Sequence, residues 1–315
     1  MFFKGVDFFP HGTKLPVMEL RRYCITISWL AALAALALLF TKGLHFGIDF
    51  NGGSLLEIQS KAGDLDVSSL RDKLNALGLG DVQIQGLGKP TEALVRVGEQ
   101  AGGETAQQAA ADKVKQALGE GIEIRRAEVV GPAVSSELKY WGTVAVIAAI
   151  LGILIYVWFR FEWQFGVAAI LALVHDIIIT IGMLSLLNYE FGLTEVAALL
   201  TLAGYSINDT VVVFDRIREN LRKYKKMPLI DLMNLSINET LSRTVLTAST
   251  VFLAVLSLYF FGTEVIKGFS FTMLFGVLIG TWSSIFVASP FLLWIGIKRD
   301  WSGADTKPNP AAAKV

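Results

Sequence analysis

The chain has 315 residues, 53% of them hydrophobic and 18% charged, and its mean hydropathy is positive. A soluble domain carries about 25% charged residues, so this balance excludes an ordinary water-soluble protein and points to an integral membrane one. Lys plus Arg and Asp plus Glu stand at 28 each, which offers no net-charge handle for nucleic acid, and the single cysteine, Cys24, excludes an internal disulfide framework.

Residues 1–22 form a short basic tail with Lys4, Lys14, Arg21 and Arg22. Residues 23–42 hold an apolar run, Tyr23 to Thr41, close to the ~20 residues a spanning helix needs. The run is longer than a signal-peptide core, and Lys42-Gly43-Leu44-His45 lacks a small-x-small cleavage site, so a retained first transmembrane helix is expected. Residues 43–139 have the composition of a water-soluble domain. Gly47–Gly53 (GIDFNGG) reads as a turn, because it precedes a strand and does not open a helix. Strands are expected at residues 54–59, 82–85, 93–97 and 122–130, with helices at about 67–77 and 105–118. This β-α-β-β-α-β order predicts a ferredoxin-like domain on one antiparallel sheet.

Residues 140–298 hold five more spans. The second runs from Tyr140 to Phe159, the third from Phe165 to Leu187 and the fourth from Leu193 to Phe214. A basic loop at 215–242 follows, then a fifth span from Arg243 and a sixth within Phe269–Ile297, leaving residues 299–315 as a polar tail. The fold class is therefore a six-helix membrane protein with one α+β domain between helices 1 and 2. The loop at 215–242 concentrates Arg216, Arg218, Arg222, Lys223, Lys225 and Lys226, whereas the turns on the other side contribute only Lys267. By the positive-inside rule both termini are cytoplasmic and residues 43–139 lie outside.

Three polar sites interrupt the spans. His175 and Asp176 lie within the third, pointing about 100° apart, so at most one of them is expected to face a given partner. Ser206, Asn208 and Asp209 lie within the fourth. Glu239, Thr240, Arg243, Thr244 and Thr247 share one helical face at the head of the fifth. An acid at the centre of a spanning helix costs roughly 2.5–3.5 kcal/mol on insertion scales, so it has a partner or a function. Asp209 is either a proton-carrying acid or a structural hydrogen-bonding group, and Arg243 either its partner cation or a snorkelling side chain. His175 is open to packing or proton transfer. Asp215, Arg216, Arg218 and Glu219, with Glu239, are expected to form an interfacial network. No zinc pair, phosphate loop or cluster of metal ligands is visible, so neither enzymatic chemistry nor a cofactor is expected.

Three stretches then carry a resemblance: GIDFNGG at Gly47–Gly53, GYSINDTVVVFDRIREN at Gly204–Asn220 and ETLSRTVLTASTVF at Glu239–Phe252, with His175-Asp176 in the third span. Together they resemble the SecF branch of the SecD/SecF protein-export family, within the resistance–nodulation–division superfamily. The resemblance implies a bacterial inner-membrane subunit whose outer domain is periplasmic and whose six spans pair with six of SecD. It implies the SecYEG channel, a YajC-like subunit and an unfolded preprotein as further partners, besides the lipid bilayer. It places proton coupling on Asp209 and Arg243, with Ser206, Asn208, Thr247, His175 and Asp176 in support; H⁺ is the implied ion and Na⁺ stays open. Two other readings compete. Half of a small-molecule or lipid exporter predicts a ligand-sized apolar pocket in the outer domain, and a docking scaffold predicts no role for Asp209.

Overall fold

The structure is a computed structural model that describes residues 13–297 apart from 81 and 88; the C-terminal tail expected at 299–315 lies outside the described residues. Helix α1 (Val17–Thr41) begins well before the expected start at residue 23. The backbone N–H groups at and just before its first turn need acceptors, and a distant helix supplies two of them. The amides of Leu15 and Met18 each donate at 2.9 Å to the side-chain oxygens of Asn238 and Asn234.

A two-residue strand, β1 (His45–Phe46), and a four-residue helix, α2 (Ile48–Asn51), come next, so GIDFNGG is a helical turn and not the simple turn expected. The α+β domain that follows comprises β2 (Gly53–Ser60), α3 (Val67–Asn75), β3 (Val82–Leu87), β4 (Lys89–Val97), α4 (Gly103–Leu118) and β5 (Ile122–Val130). Its sheet is antiparallel in the order β3-β4-β2-β5, so the first strand lies centrally between the last and the third. Alternation explains the core: Leu56 and Ile58 of β2 and Val82 and Ile84 of β3 point inward onto Leu70 and Leu74 of α3 and Val114 of α4. Asp66 caps α3, accepting from Ser68 and Ser69 amides at 3.0 and 3.1 Å.

Helix α5 (Pro132–Arg160) starts directly after β5 with proline in its first turn. Residues 132–139, assigned to the outer domain from sequence, are therefore its first turns. Helix α6 (Trp163–Leu187) follows, then β6 (Glu190–Phe191), which pairs in parallel with β1 where only a turn was expected. Helices α7 (Leu193–Lys223) and α8 (Leu229–Phe261) both extend into the segment 215–242 expected as a loop, leaving residues 224–228 between them. Helix α9 (Glu264–Ser283) then passes through a π-helical segment, Ser284–Ala288, into α10 (Ser289–Ile295).

Six helices among the described residues are long and apolar enough to span a bilayer: α1, α5, α6, α7, α8 and α9 continued through α10. Apolar windows of α6, α7 and α9 are half-buried or more, whereas only 6% of that of α5 and 11% of that of α8 are covered, so α5 and α8 present most of their surface outward. Packing inside depends on small residues, as expected where lipid removes the hydrophobic drive between helices. At Gly182 of α6 any Cβ would overlap Ala35 of α1. One apolar core, built on Phe165, Phe214, Ile217 and Leu232, joins the basic ends of α6, α7 and α8.

Candidate functional site

The polar interior lies where α6, α7 and α9 meet. Asp176 is 0% exposed, and both its carboxylate oxygens are engaged. Ser206 of α7 and Ser283 of α9 donate to Oδ2 at 2.6 and 2.7 Å, while His175 Nδ1 lies 2.9 Å from Oδ1. The two serines thus bond Asp176 and not His175. Both side chains are buried, and the short carboxylate meets the near nitrogen of the ring. His175 Nε2 is buried without a hydrogen-bond partner. Beside this cluster Thr210 and Ser284 share a hydrogen bond of 3.0 Å, and the π-helical segment begins at Ser284. A π-bulge at such a place is characteristic of functional sites.

Asp209 lies on α7 three residues beyond Ser206, nearly one turn further along the helix. It is 2% exposed and its Oδ2 has no hydrogen-bond partner. Arg243 of α8 is near enough for its charge to act on that carboxylate, but no ion pair joins them. The Arg243 side chain is exposed in this chain. Around the pair are Tyr205, whose hydroxyl lies beside Thr247 and Thr281, and Thr244; the hydroxyls of Tyr205, Thr244 and Thr281 have no hydrogen-bond partner. Unsatisfied oxygens at such density are costly in a dry interior.

The face expected to hold Glu239, Thr240, Arg243, Thr244 and Thr247 divides in two. Thr240 and Thr244 are buried, Arg243 points outward, and the Thr247 hydroxyl is spent on the Arg243 and Thr244 carbonyls at 3.0 and 2.9 Å. Asn208 was expected to support Asp209 but lies on the exposed side of α7. One residue of offset turns a helical side chain by about 100°, which separates these neighbours.

At the basic end the charged residues do interlock. Arg216 donates to Glu239 and to Glu219, each at 2.7 Å, and Asn220 donates to the same Glu239 at 2.7 Å. Arg160 reaches Asp215 at 2.5 Å, and Arg218 donates to the Arg160 carbonyl at 3.2 Å. This ties α5, α7 and α8 together. Exposed pairs of this kind are each worth about 0.2–1 kcal/mol, so their effect is on orientation more than on stability.

At the opposite end lies a clasp that sequence reasoning missed. The Asp49 carboxylate accepts the Leu193 amide at 2.8 Å, and Glu195 accepts that of Gly192 at 2.8 Å, so two acids cap the start of α7. A Cβ on Gly192 would collide with Asp49. Arg96 of the outer sheet pairs with Glu190 and approaches His45 at 2.9 Å. The clue was an acid between the glycines of GIDFNGG. Ser283, Ser284, Tyr205, Thr210 and Thr281 were also missed, since hydroxyls do not interrupt a hydropathy pattern. Among the described residues no group of three or more His, Cys, Asp or Glu converges.

Residues 110–298 match the family described as Protein export membrane protein SecD/SecF, C-terminal, and residues 37–63 match the SecD/SecF GG Motif. The chain is 45% identical over 287 residues to a Protein translocase subunit SecF of Desulfurispirillum indicum, covering 89% of this chain and 91% of that one. It is 42% identical over 289 residues to a Protein translocase subunit SecDF of Brucella abortus, covering 92% of this chain but 38% of that one. It also resembles the crystal structure of SecDF, a translocon-associated membrane protein, from Thermus thermophilus, with a TM-score of 0.79 and 36% identity over 91% of this chain and 39% of that one. The match therefore spans nearly the whole of a SecF and about two fifths of a SecDF. With six spanning helices and these relatives, the chain is an integral membrane protein that belongs to the SecD/SecF family of protein-export membrane proteins.

Proposed function

We propose that the chain is the SecF-type half of a proton-driven auxiliary motor of Sec protein export. It works with a SecD-type partner at the SecYEG channel, with a YajC-like companion. It has no enzymatic role and needs no cofactor beyond the coupling ion. In this reading the basic end, both termini and residues 224–228 are cytoplasmic, residues 43–131 are periplasmic, and the membrane is the bacterial inner one. The observation that carries the proposal is Asp209: buried, with an unsatisfied oxygen, and beside an arginine that this chain leaves exposed. A carboxylate next to a guanidinium favours ionisation, and one in dry surroundings favours the protonated form. A change in their separation or hydration therefore loads or unloads a proton. The clasp at the far end of α7 supports a route from that event to the outer domain, because Asp209 and the Asp49 cap are on the same helix. Movement of the outer domain then draws an unfolded preprotein outward.

The test is preprotein export in inverted membrane vesicles carrying Asp209→Asn or Arg243→Ala at normal protein levels. The proposal expects loss of the gradient-dependent part of export in both. Unchanged gradient-dependent export in both overturns it. A protonophore is expected to abolish that part and a sodium ionophore to leave it; the reverse result assigns Na⁺ as the driving ion.

A further inference from the structure

Beyond Asp209, the interior holds a second buried acid with its own neighbours. Asp176 is completely covered, its Oδ2 filled by the hydroxyls of Ser206 and Ser283 and its Oδ1 facing His175 Nδ1. With Nδ1–H directed at the carboxylate, the imidazole lone pair is on Nε2, and that atom is buried at a residue 4% exposed with no partner. A neutral imidazole beside an ionised carboxylate leaves one net negative charge buried in the membrane, which is unfavourable. A proton on Nε2 removes that net charge and gives the ring a donor at its empty end.

The surroundings contain little else that titrates. From Ile25 to Thr41 on α1, and from Phe269 to Ala288 on α9 and the π segment, no residue is ionisable. Helix α5 contributes Glu137, Lys139, Tyr140, Tyr156 and Arg160, all exposed. On α7 the nearest ionisable groups are Tyr205 and Asp209, and Asp176 contacts His175, Ser206 and Ser283, whereas Asp209 Oδ2 has no hydrogen-bond partner. The two acids thus share no hydrogen-bond partner.

We propose that His175 and Asp176 form a second proton-binding site within the membrane, with His175 Nε2 as the atom that takes the proton. The proton comes from hydronium: one of its O–H bonds breaks, an N–H bond forms on Nε2 with the imidazole lone pair, and a water molecule is left. Ser206 and Ser283 are positioning residues that hold the carboxylate from α7 and α9, so the state of this pair is felt by both helices.

The test is solid-state NMR of the full chain, labelled with ¹⁵N-histidine and reconstituted in bilayers, across a pH series. The chain has three histidines, so the signal lost in His175→Gln identifies the site. That signal is expected to pass from an unprotonated to a protonated Nε2 as pH falls, with a midpoint that moves by about one pH unit or more in Asp176→Asn. Ser283→Ala, which keeps the acid, is the second variant should Asp176→Asn not fold, and it is expected to move the same midpoint. A His175 Nε2 that stays in one state throughout the series, or a midpoint indifferent to every variant that folds, overturns the proposal. Because the readout is protonation and not export, this outcome is independent of the role given to Asp209.

Discussion

The two buried acids, similar in sequence, differ in what holds them. Asp176 accepts two hydroxyls and faces an imidazole, whereas Asp209 Oδ2 accepts nothing. Replacing each by asparagine separates a stabilising role from a working one. Asp176→Asn strips a charged acceptor from a filled cluster and is expected to cost about 1–3 kcal/mol. Asp209→Asn removes no hydrogen bond at Oδ2 and is expected to stay within about 1 kcal/mol. Thermal unfolding of the purified variants in detergent checks this, and an Asp209→Asn variant as damaged as Asp176→Asn would show that Asp209 is structural. The acids and Arg243 were legible in the sequence because a charge in an apolar run is conspicuous. Of the hydroxyls that complete both sites, Ser206, Thr244 and Thr247 were legible, whereas Ser283, Tyr205 and Thr281 were not, because hydroxyl residues pass unnoticed in spanning helices, where many bond their own backbone, as Thr247 does.

Among the elements, α7 is the one on which the others converge. Asp49 holds its outer end, Asp209 lies sixteen residues further on, about 24 Å along the helix axis, and Arg216 and Asn220 fix its basic end to Glu239. The cap predicts that Asp49→Ala frees the start of α7 at a cost of about 1 kcal/mol. Hydrogen–deuterium exchange at residues 190–196 is expected to accelerate in that variant, and Gly192→Ala, which drives a methyl into Asp49, should accelerate it further. Exchange unchanged in both would mean that the clasp does not carry load. The strands and helices of the outer domain were readable from periodicity because each buries one face. Helix ends were less so, since the groups that set them are remote: Asn234 and Asn238 start α1, and Asp49 starts α7. No local pattern announces a cap that arrives from another part of the chain.

For the whole molecule, the informative feature is what this chain leaves uncovered. Helix α7 exposes Thr201, Gly204 and Asn208, and α8 exposes Arg243 and Thr250. Small and polar side chains on the outside of spanning helices are a packing surface for other helices and a poor one for lipid. Single cysteines at Asn208 or Thr250 are therefore expected to cross-link to a SecD-type partner in native membranes, while one at Phe159, exposed on α5, does not. Equal cross-linking from all three would remove this assignment. Six spans and one α+β domain between the first two were legible in composition and periodicity; which faces remain open was not, because burial depends on how helices pack and not on their order.

The central claim is that Asp209, with Arg243, moves a proton when the motor works. The direct measurement is the internal pH of sealed vesicles containing the chain, a SecD-type partner and the channel, followed with a trapped dye while a preprotein is exported. A pH change that accompanies export in the native protein, and is lost in Asp209→Asn although the vesicles stay sealed, is the predicted result. The same pH change in Asp209→Asn would contradict it.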